Sequence, residues 1–391
     1  MNPRIANLLR EDLRGRTPYG APQLDVPVRL NTNENSYAVP EDVVAAVTAA
    51  VAKVATHLNR YPDREFRELR QALAAYLRLQ TGVPVRLEQV WAANGSNEVL
   101  LHLVQAFGGP GRTALGFTPA YSMHPIITRT AGTTWVDGLR GTTAGVFDLD
   151  AALAVRQVRE HQPHLVFLCS PNNPTGTALD LNVVRAVTEA VPDSLVVVDE
   201  AYAEFARPGT PSAITLLEGR PLLVVTRTMS KAFALAGARI GYLTADPELI
   251  DALRLVRMPY HLSDPTQAVA LAAIRHDASL LATVEAIKAQ RDRIVDELTA
   301  LGYTPVPSDA NFVLFGGLAD ERATWQALLD RGVLIRDVGI AHHLRVTAGT
   351  PEETDAFLKA MADLPDSHRQ VADHATDQDA IPQPHAEGAP A

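Results

Sequence analysis

Four short apolar runs constrain the fold of this chain more than any other feature: LVFLCS (165–170), LVVVDE (195–200), LLVVT (222–226) and IGYLT (240–244). Each run is rich in Val and Leu, shows no alternation of polar and apolar residues, and is bounded by turn residues. That pattern is typical of strands buried on both faces of a parallel sheet. Because helical segments alternate with such runs from about residue 66 to 260, the sequence predicts a doubly wound, mostly parallel α/β domain.

Three further regions are predicted around this large domain. The stretch RTPYGAPQLDVPV contains three prolines and predicts an irregular arm. Long helical stretches followed by the runs NFVLFG, GVLIRDV and LRVTAG predict a smaller α+β domain, and a polar, Pro- and Ala-rich tail without periodicity predicts disorder. One amphipathic helix is predicted from apolar residues at helical spacing: Val43, Val47, Val51, Val54 and Leu58. The predicted boundaries are 1–30 for the N-terminal arm, 31–60 and 265–365 for the small domain, 61–264 for the large domain, and 366–391 for the tail.

Composition argues against several classes of partner. The formal net charge is −10 and there is no dense Lys/Arg cluster, which disfavours binding to nucleic acid or an anionic membrane. The single cysteine, Cys169, cannot form an internal disulfide, and its apolar neighbours favour a small core residue. No run approaches about 18 apolar residues and the N-terminus has no apolar signal segment, so we expect a cytoplasmic protein. The three histidines of the tail have no metal-ligand spacing and the pair at 342–343 has no third ligand at useful spacing, so we expect no metal.

Polar segments follow three of the predicted strands, at the edge of the sheet where open α/β folds bind ligands. They are SPNNPTG (170–176), DEAY (199–202) and TMSK (228–231), and we expect them to face one crevice. Lys231 has apolar neighbours. Desolvation would lower its pKa and free its amine to form a Schiff base, whereas the alternative is a solvated lysine at a helix start. Asp199 either meets a cation at the end of its strand or caps the next helix.

A second set of residues is suited to binding a phosphate: Gly95, Ser96, Asn97, Thr228, Ser230 and Arg239. The first three stand directly before an apolar helical run, where free amide groups and a hydroxyl can hold an anion. The same residues would also serve as an ordinary helix cap. The other three are close to the lysine in sequence and could complete the site. Asn173 either belongs to a simple tight turn or offers an amide donor to a phenolate-like oxygen.

Taken in order along the chain, the segments GSNE, PAY, SPNNPTG, DEAY and TMSKAFALAGARIGY resemble the fold-type I, aspartate-aminotransferase-like family of pyridoxal phosphate enzymes. The resemblance implies that Lys231 binds the cofactor covalently and that Asp199 pairs with its pyridine nitrogen. It implies that Asn173 and Tyr202 bond the ring hydroxyl oxygen, and that Tyr121 stacks on the ring. The implied phosphate site consists of Gly95, Ser96, Asn97, Thr228, Ser230 and Arg239, with Tyr61 of the neighbouring subunit. Shared active sites of this kind imply a homodimer.

The wider pattern is similar to the histidinol-phosphate aminotransferase branch of that family, over about residues 15–365. The motifs are TPYGAPQ (17–23), RLNTNENS (29–36), RYPD (60–63), SDANFVLF (308–315), GVLIRDVG (332–339) and LRVTAGT (344–350). The resemblance implies that Arg345 binds the α-carboxylate of glutamate. It also implies that Arg336, helped by Tyr19 and Asn33, binds a substrate phosphate, since guanidinium groups bind both anions bidentately. Taken alone, either arginine could be a surface strand residue. Ser36 stands where the family often has a proline, so the loop lacks one φ-fixing residue.

The implied reaction is transfer of the amino group from L-glutamate to imidazole acetol phosphate, giving L-histidinol phosphate and 2-oxoglutarate, as in histidine biosynthesis. Three alternatives remain open at the level of sequence. An aromatic (phenylalanine) aminotransferase would share every cofactor residue, and a phospho-amino-acid decarboxylase on the same fold would need no 2-oxo acid. A ligand-sensing regulator would need a DNA-binding domain, for which the arm is too short and too rich in proline.

Overall fold

The computed structural model describes residues 2–141 and 147–370. Its strands are β1 (Val28–Arg29), β2 (Val90–Ala93), β3 (Thr113–Thr118), β4 (Thr134–Leu139), β5 (Leu165–Cys169), β6 (Leu195–Asp199), β7 (Leu223–Thr228), β8 (Gly241–Thr244), β9 (Thr304–Pro305), β10 (Phe312–Gly316), β11 (Val333–Leu334) and β12 (Leu344–Thr347). Its α-helices are α1 (Pro3–Leu8), α2 (Glu41–Ala55), α3 (Arg67–Thr81), α4 (Ser96–Phe107), α5 (Met123–Thr130), α6 (Ala151–His161), α7 (Leu181–Ala190), α8 (Pro247–Leu253), α9 (Asp264–Arg275), α10 (Asp277–Ala300), α11 (Glu321–Leu329) and α12 (Pro351–Ala362).

Among the described residues, the largest sheet has seven strands in the order β2-β8-β7-β6-β5-β3-β4. Strands β4, β3, β5, β6 and β7 run parallel to one another. The central strands β5 and β6 are buried along their whole length, as expected where helices cover both faces of a sheet. The predicted α/β class with a mostly parallel sheet is confirmed.

Strand β8 departs from the parallel direction that its apolar run predicts. It is antiparallel to both β7 and β2. A parallel neighbour requires a crossover, usually through a helix, but the described connection from Thr228 to Gly241 contains a 3-10 turn at Ala236–Ala238 and no α-helix. The chain therefore turns back beside β7, and this short connection is the segment that carries Lys231.

Two smaller sheets accompany the large one among the described residues. Strand β10 lies between β12 and β9 and is antiparallel to both, while β1 pairs in parallel with β11. The three apolar runs predicted as strands of the small domain form β10, β11 and β12. The pairing of β1 with β11 binds the end of the arm next to the segment that carries Arg336. The domain boundaries at residues 60 and 264 remain a prediction.

Two predicted segments differ in extent from the structure. Helix α2 ends at Ala55, so Leu58 lies beyond the predicted apolar stripe and is 56% exposed. The first residues of the predicted tail are folded: Asp366–His368 form a 3-10 turn, and Arg369 donates to the carbonyl of Leu301 at 2.9 Å. The remainder of that tail lies outside the described residues. Within the described ranges, none of the helices combines the length and apolar character needed to cross a membrane.

Candidate active site

A cavity of about 490 Å³ lies at the C-terminal ends of β5, β6 and β7. The structure brings most of the predicted site residues to its wall: Tyr19, Asn33, Ser96, Asn97, Tyr121, Asn173, Asp199, Tyr202, Thr228, Ser230, Lys231, Arg239, Arg336 and Arg345. The three polar segments that follow the parallel strands therefore face one crevice. In the described part of the chain, no group of His, Cys, Asp and Glu residues could hold a metal ion.

Lys231 lies on the short connection after β7 and is partly buried. Its Nζ donates to the main-chain carbonyl of Thr32 at 3.0 Å. Desolvation is the largest cause lowering its pKa to about 8; the nearby cations Arg345 and Arg239 add to this, and the carboxylate of Glu34 opposes it. A lysine with such a pKa has an accessible neutral form near pH 8, as a nucleophilic or proton-transferring amine requires.

Asp199 ends the buried strand β6, and its side chain is 2% exposed. Oδ2 is 3.0 Å from Nε2 of His124, and Oδ1 accepts a hydrogen bond from Thr226 at 3.0 Å. The imidazole of His124 lies nearly parallel to the ring of Phe167, with centroids 5.0 Å apart. The carboxylate is therefore held from two sides, so its buried oxygens point in a fixed direction.

Sequence analysis missed His124, although a signal was present. The histidine follows Tyr121 by three residues in PAYSMH, and it lies in the first turn of α5, which begins at Met123 directly after this tyrosine and Ser122. In the structure the two rings meet edge to face, with centroids 5.4 Å apart. The hydroxyl of Tyr121 donates to the side chain of Asn97 at 3.3 Å.

A second group of polar side chains surrounds the hydroxyl of Tyr202. Nδ2 of Asn33 donates to this oxygen at 3.0 Å and Nδ2 of Asn173 at 3.4 Å. Arg345 contacts Oδ1 of Asn173 and donates through Nη2 to the carbonyl of Asn31 at 3.0 Å. Its Nε is buried with no partner among the described residues, and burial lowers the pKa of this guanidinium to about 10. An unsatisfied buried guanidinium donor at the cavity wall is suited to an anionic ligand.

The turn from β2 into α4 forms the opposite end of the cavity. Gly95 has a left-handed φ of 85°, and a Cβ built on it would lie 2.6 Å from Nη2 of Arg239. The guanidinium thus covers the amide groups at the start of α4, where Ser96 and Asn97 line the cavity. A helix N-terminus facing a guanidinium is suited to a phosphate. Because the same cavity is also lined by Lys231, these groups fit pyridoxal phosphate.

Two predicted residues do not line the cavity. Gly95 lies directly behind its wall, as described. Tyr61 lies on the surface with 78% of its side chain exposed, and it stacks on Tyr260 with ring centroids 4.4 Å apart. The residues that line the cavity but were not among the predicted site residues include Asn31, Thr32, Cys169 and Asp337.

A sequence model of the aminotransferase class I and II family matches residues 26–361. The chain belongs to this family. Among its curated relatives, the histidinol-phosphate aminotransferase of Paenarthrobacter aurescens is 62% identical over 360 residues, covering 92% of this chain and 95% of the relative. That of Thermobifida fusca is 59% identical, covering 90% of this chain and 94% of the relative.

Solved structures in this family have a similar fold. The histidinol-phosphate aminotransferase of Sinorhizobium meliloti in complex with pyridoxal-5'-phosphate matches with a TM-score of 0.75 and 26% identity, covering 86% of this chain and 90% of that chain. The aspartate aminotransferase of Thermus thermophilus with maleate matches with a TM-score of 0.74 and 27% identity, covering 86% and 91%. The predicted membership of the aminotransferase family is confirmed.

Proposed function

We propose that this protein is a histidinol-phosphate aminotransferase that uses pyridoxal phosphate to transfer the amino group of L-glutamate to imidazole acetol phosphate. One observation carries the proposal: a single cavity combines Lys231 and Asp199 with two arginines, Arg336 and Arg345. The first pair suits the cofactor, and the second pair suits a substrate with an anion at each end. The relatives that are 59% and 62% identical bear the same enzyme name.

The cofactor would be held at both ends and on one face. The amide groups at the start of α4 would bind its phosphate, with Thr228, Ser230 and Arg239. Asp199, fixed by His124, would pair with the ring nitrogen, while Asn173 and Tyr202 would bond the ring hydroxyl oxygen. Tyr121 would stack on the ring. When bound, pyridoxal phosphate supplies an electron sink for the charge released at the substrate's α-carbon.

Lys231 would both bind the cofactor and move the substrate's α-proton. A pKa of about 8 leaves part of the amine neutral near physiological pH, and a neutral amine can accept a proton. The carbonyl of Thr32 lies within hydrogen-bond distance of Nζ, so it orients the amine within the cavity. Once protonated, the same amine can give the proton back to the substrate's α-carbon when the reaction runs in the reverse direction.

The two arginines would bind different anionic groups of the substrates. Arg345 is buried and has an unsatisfied donor, which suits the α-carboxylate of glutamate. Arg336 lies at the cavity wall with Tyr19, and this side would take the substrate phosphate. Asn33 is bonded to Tyr202 and accepts a hydrogen bond from Thr347, so its contribution to substrate binding would be indirect.

The working molecule would be a cytoplasmic homodimer with shared active sites. In support, an exposed surface around the stacked pair Tyr61 and Tyr260 includes Leu255 and Met258, which are 86% and 74% exposed. Exposed apolar side chains concentrated in this way favour a protein interface. Tyr61, which does not line the cavity of its own chain, would reach the cofactor phosphate of the second subunit.

A paired half-reaction tests the substrate. The protein is loaded with cofactor and converted with glutamate, and imidazole acetol phosphate or phenylpyruvate is then added while the cofactor absorbance is followed. We expect the absorbance to return much faster with the phosphorylated acceptor, because only that acceptor satisfies Arg336. Equal or faster use of phenylpyruvate would move the protein to the aromatic branch. A spectrum unchanged by glutamate would contradict transamination.

A further inference from the structure

A buried charge cluster lies outside the active-site cavity, at the ends of the strands that carry the cofactor residues. It consists of Glu200, Glu204 and Arg227, whose side chains are 4–5% exposed. Arg227 contacts Glu200 at 2.7 Å and Glu204 at 3.2 Å. Ser212 donates to the carboxylate of Glu200 at 2.7 Å. The guanidinium group thus holds two carboxylates that lie four residues apart in the chain.

This cluster lies on the opposite face of the sheet from the cofactor residues. Successive side chains of a strand point to opposite faces. Thr226 bonds Asp199 and Thr228 lines the active-site cavity, whereas Arg227, between them, lines a second cavity of about 210 Å³. Glu200 follows Asp199 and lines the same second cavity. Arg227 on β7 directly precedes Thr228, and Glu200 directly follows Asp199 at the end of β6. Both cluster residues are therefore chain neighbours of residues that line the active-site cavity.

Stability alone does not account for such a cluster. Replacing a buried ion pair by apolar residues of similar volume is often neutral or stabilising, because desolvation offsets the attraction between the charges. Here two carboxylates share one guanidinium group, so the attraction of a single positive charge is divided between two acceptors. What Arg227 adds is a fixed geometry between the strand ends, because Nε and Nη2 both contact Oε2 of Glu200 while Nη1 donates to Glu204.

We propose that Arg227, Glu200 and Glu204 are positioning residues that fix Asp199 relative to Thr228 across the ends of β6 and β7. The inference rests on the proposed cofactor function, in which Asp199 contacts the ring nitrogen and Thr228 the phosphate. The two strands are paired at this point, with Asp199 opposite Thr226. A shift of Arg227 would move Thr228 and the following connection to Lys231.

The test uses a charge-free triple variant, Glu200→Gln/Glu204→Gln/Arg227→Met, which keeps the shapes of the side chains. We expect the apo-protein to unfold at nearly the wild-type temperature. The dissociation constant for pyridoxal phosphate should rise about tenfold, in the range of couplings within one hydrogen-bonded network. The pH midpoint of the bound cofactor's absorbance should move upward, because a displaced Asp199 no longer holds the ring nitrogen protonated. A folded variant whose dissociation constant for pyridoxal phosphate and pH midpoint both equal the wild-type values would overturn the proposal.

Two further variants keep the test decisive. Arg227→Lys retains the positive charge but lacks the planar guanidinium group. We expect it to raise the dissociation constant and the pH midpoint in the same direction by smaller amounts. If the triple variant does not fold, wild-type values of both quantities in Arg227→Lys would overturn the proposal. Arg291→Met is the matched control, because Arg291 is 1% exposed and donates to the carbonyls of Phe205 and Ala310 away from the cavity. It should affect stability without moving the absorbance midpoint. A wild-type protein that binds no pyridoxal phosphate would refute the proposed function instead.

Discussion

The chemistry of individual residues is set by what surrounds them, and Lys231 gives the sharpest example. Its pKa is lowered to about 8 by desolvation, with the cations Arg345 and Arg239 contributing. The amine is therefore mostly protonated at pH 7 and mostly neutral at pH 9. We expect the rate at which apo-protein captures pyridoxal phosphate to rise with pH and to reach half its maximum near pH 8.

Stopped-flow absorbance over pH 6–10 measures this rate directly. Labelling by an amine reagent of Lys359, whose side chain is 75% exposed, can be followed in parallel as a solvent-exposed comparison. A midpoint near 10 for cofactor capture would show that Lys231 is solvated like a surface lysine.

Charged residues in apolar sequence surroundings could be predicted as site residues from the sequence. Residues that act by holding another side chain were missed. A lysine among apolar residues and an aspartate ending a buried strand are unusual, so Lys231 and Asp199 could be singled out. His124 could not be assigned to Asp199 in this way, since the two residues are 75 positions apart and meet only in the folded chain. The carbonyl of Thr32 leaves no signal in sequence, because every residue has one.

At the scale of elements, the turn from β2 into α4 carries a direct prediction. Gly95→Ala should weaken binding of pyridoxal phosphate at least tenfold, because the new Cβ would lie 2.6 Å from Arg239 and displace its guanidinium. The left-handed φ should also lower the free energy of unfolding by roughly 1 kcal/mol. Cofactor titration and denaturant unfolding measure the two effects separately.

Gly209→Ala is the control for backbone strain. Gly209 has a φ of 91°, and a Cβ there would meet nothing within 4 Å. It should lose similar stability and keep the wild-type affinity for the cofactor. If both variants bind pyridoxal phosphate equally well, the contact between Gly95 and Arg239 does not shape the phosphate site.

Most strands identified from sequence come from runs rich in Val and Leu, and the missed ones differ in composition. The run TWVDGL of β4, at the edge of the sheet, contains an aspartate and a glycine, and the run VWAA of β2 has one Val beside Trp and Ala although the strand is buried along its length. Direction was harder still, since an apolar run reports burial on both faces whichever way the strand runs. Only the length and content of the connection to β8 reveal that it is antiparallel.

At the scale of the whole molecule, shared active sites can be tested by mixing two defective chains. We expect Lys231→Ala and Tyr61→Ala homodimers each to be nearly inactive at low cofactor concentration. A dimer containing one chain of each kind has one cavity with both native side chains. Random reassociation should therefore restore about a quarter of the wild-type activity.

Turnover after unfolding and refolding an equal mixture measures this recovery, with each variant refolded alone as its control. A mixture no more active than the separate variants would mean that Tyr61 does not serve a neighbouring site. Sequence alone reaches this arrangement only through resemblance, because one chain's residues do not specify which surfaces meet another copy.

The segment Asn31–Asn35 makes several of its contacts to the site through the main chain: Arg345 donates to the carbonyl of Asn31, Lys231 to that of Thr32, and Asn311 to that of Asn33. A carbonyl persists whichever side chain its residue carries. Side chains at such positions can therefore be substituted during evolution while the hydrogen bonds from the main-chain carbonyls to the site remain. Thr32 therefore offers a position for reshaping the cavity wall, because its side chain can be replaced while its carbonyl still accepts a hydrogen bond from Lys231.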